Sequence, residues 1–251
     1  FYYRKYSPYY SNNYSATLGQ NSKVTNEDGL CINLQLNLPW NISAYGRVDI
    51  FRFPIAKYLV AAPSHGNETY LLLTRPMNPK TTIELCYRNK ERGKNVKFED
   101  TPQYIVEQTY RHQAEARMFY TPAEGWSLST RVIQTWYNTE SSTTSYGFAL
   151  SQDIRYKTPN HPLSLSARYV IFDIDNYDSR IFLSESNFIY DNSSSKLMYK
   201  GYRFYVWAKY ELGANVSIGL KYSITQYANR TSISSGHNKI EDSHRQSLNA
   251  Q

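Results

Sequence analysis

The residues best placed to do chemistry in this chain are cations that recur at alternate positions along extended segments. They are Arg47, Arg88, Lys90, Arg111, Arg117, Arg131, Arg155, Arg168, Arg203, Lys209 and Lys221. Six anions share their parity: Asp49, Glu84, Glu107, Glu115, Asp153 and Glu211. An excess of cations on one face attracts anions when it borders a water-filled path. Alternatively, the same Arg and Glu side chains pair across neighbouring strands and close the interior.

Catalytic chemistry is not expected. The histidines are His65, His112, His161, His237 and His244. His65 and His237 fall near the outer ends of strands, where Asp173, Asp175 and Asp178 could partner them, but nothing in the spacing assembles a nucleophile, a base and an orienting group. The three aspartates lack the glycine and distal glutamate of a calcium loop. No cofactor or metal is expected, no glycine-rich phosphate loop occurs, and Cys31 and Cys86 read as free thiols on strands that are not neighbours.

The elements that must position these residues are strands. Leu30, Ile32, Leu34, Leu36 and Leu38 alternate with Cys31, Asn33, Gln35 and Asn37, and period-2 alternation recurs along most of the chain while helical periodicity does not. Further strands are expected over residues 43–53, 69–75, 82–90, 103–119, 127–138, 145–156, 163–173, 202–212 and 216–228, with a last one starting near His244. Tyr supplies 25 of the 251 residues, a bias toward pleated, half-exposed surfaces.

Connections of two kinds alternate. Pro39-Trp40-Asn41, Pro76 to Pro79, Thr121 to Gly125, Thr158 to Pro162 and Gly213 to Asn215 are tight, with turn chemistry. Residues 54–68, 91–102, 139–144, 174–201 and 229–243 are long and polar. Short turns on one side and long loops on the other characterise outer-membrane barrels. Counting residues 179–189 as a spanning strand would break that alternation, so 174–201 is expected as a single extracellular or lumen-inserted excursion.

The charged residues keep to one parity and the apolar residues to the other, as along 103–119, where Tyr104, Val106, Tyr110 and Met118 oppose Glu107, Arg111, Glu115 and Arg117. Leu34, Leu36, Tyr104, Val106, Leu150, Tyr210 and Leu220 are expected to face lipid. The expectation is an all-β, antiparallel transmembrane outer-membrane β-barrel filling residues 1–251, with about 11 spanning strands. Because single-chain bacterial barrels are nearly always even-numbered, at least one more strand is expected before Phe1. A secreted soluble β-sandwich binding module is the alternative, since it too alternates polar and apolar positions.

Three stretches resemble an outer-membrane β-barrel family of the Bacteroidota whose members often carry an N-terminal competence-like helix-hairpin-helix segment. They are Asp49 to Pro54 with Ala62 to Gly66; Ala167 to Tyr169 with Phe172-Asp173, Asp178 to Ile181 and Glu185 to Asn187; and Ser235-Gly236 with Ile240-Glu241 and Ser243 to Arg245. The resemblance implies location and architecture: a Gram-negative outer membrane, contact with its lipid and lipopolysaccharide, and other envelope proteins as partners. Nucleic acid would be met only through a helix-hairpin-helix segment not present in these residues, which makes a DNA-uptake role a further alternative. The expected function is non-enzymatic: a scaffold or subunit of an envelope complex, or a porin-like conduit for anionic solutes or polymers.

Overall fold

A computed structural model describes residues 1–12, 18–21, 23–97, 104–159, 161–188, 194–213, 216–233 and 239–251. Among them every regular element is a strand: β1 Tyr2–Tyr6, β2 Glu27–Leu38, β3 Ile42–Phe53, β4 Ser64–Asn78, β5 Thr81–Val96, β6 Ile105–Tyr120, β7 Trp126–Thr139, β8 Ser145–Lys157, β9 Leu163–Ile174, β10 Ile181–Ser184, β11 Ser194–Leu197, β12 Tyr199–Glu211, β13 Ser217–Tyr227 and β14 His244–Ala250. The all-β, antiparallel class read from the alternation is what the chain adopts.

Twelve of these strands form one sheet in sequence order, skipping only β10 and β11, which pair with each other. The order runs from β1 to β14 without returning to β1. The sheet holds one strand more than the eleven read from the sequence, because Tyr2–Tyr6 pairs with β2, from Tyr2 opposite Cys31 to Tyr6 opposite Glu27; at five residues it is shorter than a membrane crossing needs.

Several strands also reach beyond their expected ends. Glu68 belongs to β4, within the stretch read as the loop 54–68, and β5 continues to Val96 rather than ending at Lys90. Polar residues on both faces hide a strand from an alternation test, yet its ladder hydrogen bonds form all the same.

The chain divides into two compact units. The first holds Phe1–Thr74, Leu85–Ala114 and Trp136–Thr144. Here Asp49, Phe51 and Phe53 lie buried on one face of β3, while Ile50 is exposed on the other. The Phe51 and Phe53 rings meet edge to face at 5.5 Å, and the Lys57 ammonium lies 3.1 Å from the Phe53 ring centre.

The second unit holds Arg75–Glu84, Glu115–Thr135 and Ser145–Gln251. Its apolar core is small: Ile133 of β7, Ala149 of β8 and Val170, Phe172 and Ile174 of β9 pack against Ile181, Leu183 and Leu197 of the β10–β11 pair. Thr135 Oγ1 donates to the Ser179 carbonyl at 2.7 Å, holding the approach to β10 on this face. Gly147 permits that approach, because a Cβ there would lie 2.4 Å from the Ser179 oxygen.

Across both units the burial pattern is inverted relative to a water-soluble sheet. Leu30, Ile32, Leu34, Leu36 and Leu38 are all exposed along β2, Ile218 and Leu220 along β13. The buried set includes Arg4, Glu27, Asp49, Glu68, Glu107, Glu115, Asp153, Arg168 and Lys221. Exposed aromatics stand at both ends of the strands: Trp40 after β2, Tyr120 at the end of β6, Trp126 at the start of β7 and Tyr210 near the end of β12 by short connections, and Tyr104 before β6, Tyr146 at the start of β8 and Tyr202 near the start of β12 by long ones.

Candidate functional site

Strand pleating puts residues i and i+2 on one face, so the charged parity of each strand meets that of its neighbour. In the first unit Arg4 of β1 is the hub. Its Nε donates to Glu27 Oε1 at 2.6 Å and its Nη1 to Asp49 Oδ1 at 2.7 Å. Gln20 Nε2 donates to Asp49 Oδ2 at 2.7 Å and receives, at its Oε1, a bond of 2.7 Å from Lys90 Nζ. Lys90 also lies 3.0 Å from Glu68, which accepts from Arg88 Nε at 2.9 Å. Arg47 Nη2 stands 3.6 Å from Asp49. One connected network thus joins Glu27, Arg4, Asp49, Gln20, Lys90, Glu68 and Arg88.

The second unit repeats the principle in three smaller groups. Arg117 Nε donates to Glu115 at 2.6 Å and Nη1 reaches Glu84 at 3.4 Å, while Arg131 Nε is 3.1 Å from Glu115. Arg168 pairs with Asp153 at 2.5 Å, both nearly free of solvent, and its Nη1 donates to the Ser184 carbonyl of β10 at 2.6 Å. Glu185, just beyond β10, takes Arg203 Nε at 2.6 Å and Nη2 at 3.0 Å, and lies 2.8 Å from Lys221 Nζ, which also donates to Asn187 Oδ1. Burial pushes the Glu185 carboxyl up, but the hydrogen bonds and charges of Arg203 and Lys221 outweigh it and hold it at about 2.

Of the eleven cations read from the sequence, Arg47, Arg88, Lys90, Arg117, Arg131, Arg168, Arg203 and Lys221 have carboxylate partners on the buried side. Arg111 is half-buried on β6. Lys209 pairs with exposed Glu211 at 2.7 Å, and Arg155 is exposed at the end of β8. Sequence reasoning missed Arg4, Glu27, Glu68 and Glu185. The three carboxylates outnumber the one new cation, so the inferred cationic excess shrinks. Two cations, Arg203 and Lys221, lie on paired strands opposite Thr225 and Trp207 rather than an acid. That imbalance was the only hint of a carboxylate elsewhere.

The polar residues weighed for catalysis do not converge. His65 Nε2 lies 3.3 Å from Gln108 Nε2, and His112 Nδ1 is 2.9 Å from the Tyr87 hydroxyl on the exposed side. Asp173 pairs with Lys200 at 2.7 Å, and Asp175 Oδ2 accepts from the Tyr146 backbone at 2.7 Å. His237 and Ser235-Gly236 lie outside the described residues. Among the described residues no three metal-ligating side chains come together. Both cysteines are free thiols. Lys57, between β3 and β4, is shifted by burial and by the positive charge of Arg92, which bring its ammonium down to about 8.

No family model, curated protein or solved structure matches the chain. The chemistry therefore rests on the arrangement itself. It offers charge pairing over most of the buried face, and one region, along β11 to β14, where cations outnumber carboxylates.

Proposed function

We propose that this chain is a non-enzymatic outer-membrane β-barrel of a Gram-negative bacterium, with the charged face lining the interior and the apolar face meeting lipid. The observation that carries the reading is the inverted burial: Leu34 and Ile50 are each 57% exposed, whereas Glu27 and Asp49 are each 1% exposed. In water, exposing row after row of leucine and isoleucine forfeits about 1.5–3 kcal/mol per side chain, whereas in hydrocarbon the same rows cost nothing. Strands of 11 to 16 residues in the meander β2 to β9, β12 and β13 are long enough to cross at a tilt. Alternating short and long connections, with exposed aromatics at both strand ends, agree with this reading.

A secreted sandwich accounts less well for these features. It would bury the leucines of β2 and expose Asp49 of β3, and its sheets are commonly joined by Greek-key crossings rather than by a next-neighbour meander.

The pairing of most buried cations favours a scaffold or subunit of an envelope complex over a wide anion-selective channel. Outer-membrane lipid and lipopolysaccharide would surround it, with other envelope proteins as partners. The resemblance to the Bacteroidota barrel family points the same way, and a DNA-uptake role would need a segment beyond these residues. The test is the fraction in which the protein is found and its migration on a denaturing gel. A barrel sediments with the outer membrane and migrates faster unheated than boiled. Recovery in the soluble fraction with a single migration position would overturn the reading. Reversal potentials in planar bilayers separate the two roles: no conductance favours the scaffold, and anion preference at low salt that fades near 1 M, where screening shortens to about 3 Å, favours the conduit.

A further inference from the structure

The second unit contains a cavity of about 670 Å³ between the β10–β11 pair and the charged face of β12, β13 and β14. Lys196, Arg203, Lys221, Arg230 and Arg245 line it, against Glu185 as the carboxylate. Arg203 and Lys221 already share Glu185. Lys196, Arg230 and Arg245 have no carboxylate partner among the described residues.

The register explains why these groups converge. Arg203 lies opposite Thr225, which lies opposite Arg245, so one row across three strands reads guanidinium, hydroxyl, guanidinium. The next row on that face is Tyr205, Ser223 and Ser247, with the two serine hydroxyls 2.8 Å apart. Arg203 Nη1 already donates to Thr225 Oγ1 at 2.7 Å. The Arg230 guanidinium stacks 3.8 Å from the Tyr199 ring centre, which fixes its plane at the cavity wall.

Planar guanidinium groups, hydroxyl donors and excess positive charge in a concave site form a receptor for oxyanions. The volume falls in the range of small-molecule sites, about 300–1,000 Å³. We propose that this cavity binds a small polyvalent oxyanion, one carrying at least two phosphate or carboxylate groups, with Lys196, Arg230 and Arg245 as its principal donors. The proposal deepens the barrel reading by naming what its interior would hold, and it rests on that reading only for its location.

The test is calorimetric titration of the detergent-folded chain with inorganic pyrophosphate in one arm and citrate in the other, alongside heat-modifiable migration of the same preparation. Saturable 1:1 binding is expected, and the stronger arm identifies phosphate or carboxylate as the preferred group. Arg230→Gln with Arg245→Gln should weaken it about a hundredfold, since each lost charge-assisted bond is worth about tenfold. Lys80→Gln, in the β4–β5 turn, should leave affinity unchanged. Absence of binding by a heat-modifiable protein overturns the cavity and spares the barrel. Equal losses from the Lys80 and arginine variants would reduce the binding to diffuse charge and overturn the site. Binding without heat-modifiable migration spares the cavity and overturns the barrel, and absence of both overturns both.

Discussion

Arg4 and Asp49 form an ion pair of 2.7 Å although their strands, β1 and β3, are separated by β2. The guanidinium crosses β2 over Gly29, which lies directly opposite Arg4, and a Cβ at Gly29 would sit 2.5 Å from Arg4 Cζ. Both charged side chains are almost wholly buried. Removing one partner therefore strands the other. Arg4→Ala should cost about 3–5 kcal/mol, read as the shift in urea unfolding of protein folded into vesicles. Gly29→Val should destabilise in the same direction by displacing the guanidinium. A change near zero for both would mean that the pair is solvated.

Leu150 of β8 lies opposite Ile171 of β9 on the apolar parity. Leu150→Arg is expected to destabilise the vesicle-folded protein by about 2–4 kcal/mol if the site is near the midplane. Its neighbour Ser151 is buried on the charged parity, and Ser151→Asn should be far milder on the same assay. Equal effects would count against the face assignment.

Glu185 gives the pH dependence its sign. Its folded carboxyl titrates at about 2, below the ordinary value of about 4.3 for an unfolded glutamate. The folded state therefore binds its proton less readily, so its stabilising effect is present in full above about pH 4.5 and is lost as pH falls toward 2. A spin label on the β10–β11 pair and another on β13 should hold a fixed distance at pH 7 and separate on acidification through that window. Glu185→Gln should show the longer distance already at pH 7. An acid transition unaltered by that substitution would rule Glu185 out as its source.

Lys57 gives the opposite case. Burial and the nearby Arg92 charge lower its folded value to about 8, against about 10.4 unfolded. Between these values the unfolded chain binds more protons, so this group makes stability rise with pH across that interval. A proton-detected titration of isotopically methylated lysine should place one resonance, absent in Lys57→Arg, with a midpoint near 8. A midpoint near 10 would mean that the ammonium is solvated.

Alternation in the sequence was enough to reveal the sheet and its two faces, because a strand with one apolar and one charged side announces both. It failed where neither side is apolar. Tyr2–Tyr6 carries aromatic or charged residues at every position, and the start of β4 around Asn67 and Glu68 reads as polar loop. It also could not separate Ile181 and Leu183, buried against β9, from a lipid-facing row, since both kinds repeat every second residue. The candidate cavity was legible only in part. Arg203 and Lys221 stood out on their strands, but Glu185 follows a short strand-like run read as part of a loop excursion, Arg230 and Lys196 come from segments without periodicity, and their convergence is a product of register and chain return.

In a barrel the exposed apolar rows meet hydrocarbon. Single cysteines placed at Leu36, Leu150 and Leu220, and at Ser151 and Ser223 on the opposite parity, in a chain carrying Cys31→Ser and Cys86→Ser, can be labelled with an environment-sensitive fluorophore after folding into vesicles with brominated acyl chains. Strong quenching at the three leucine positions and little at the two serine positions is the predicted result. Uniformly weak quenching at all five, with the protein remaining outside the vesicles, would contradict it.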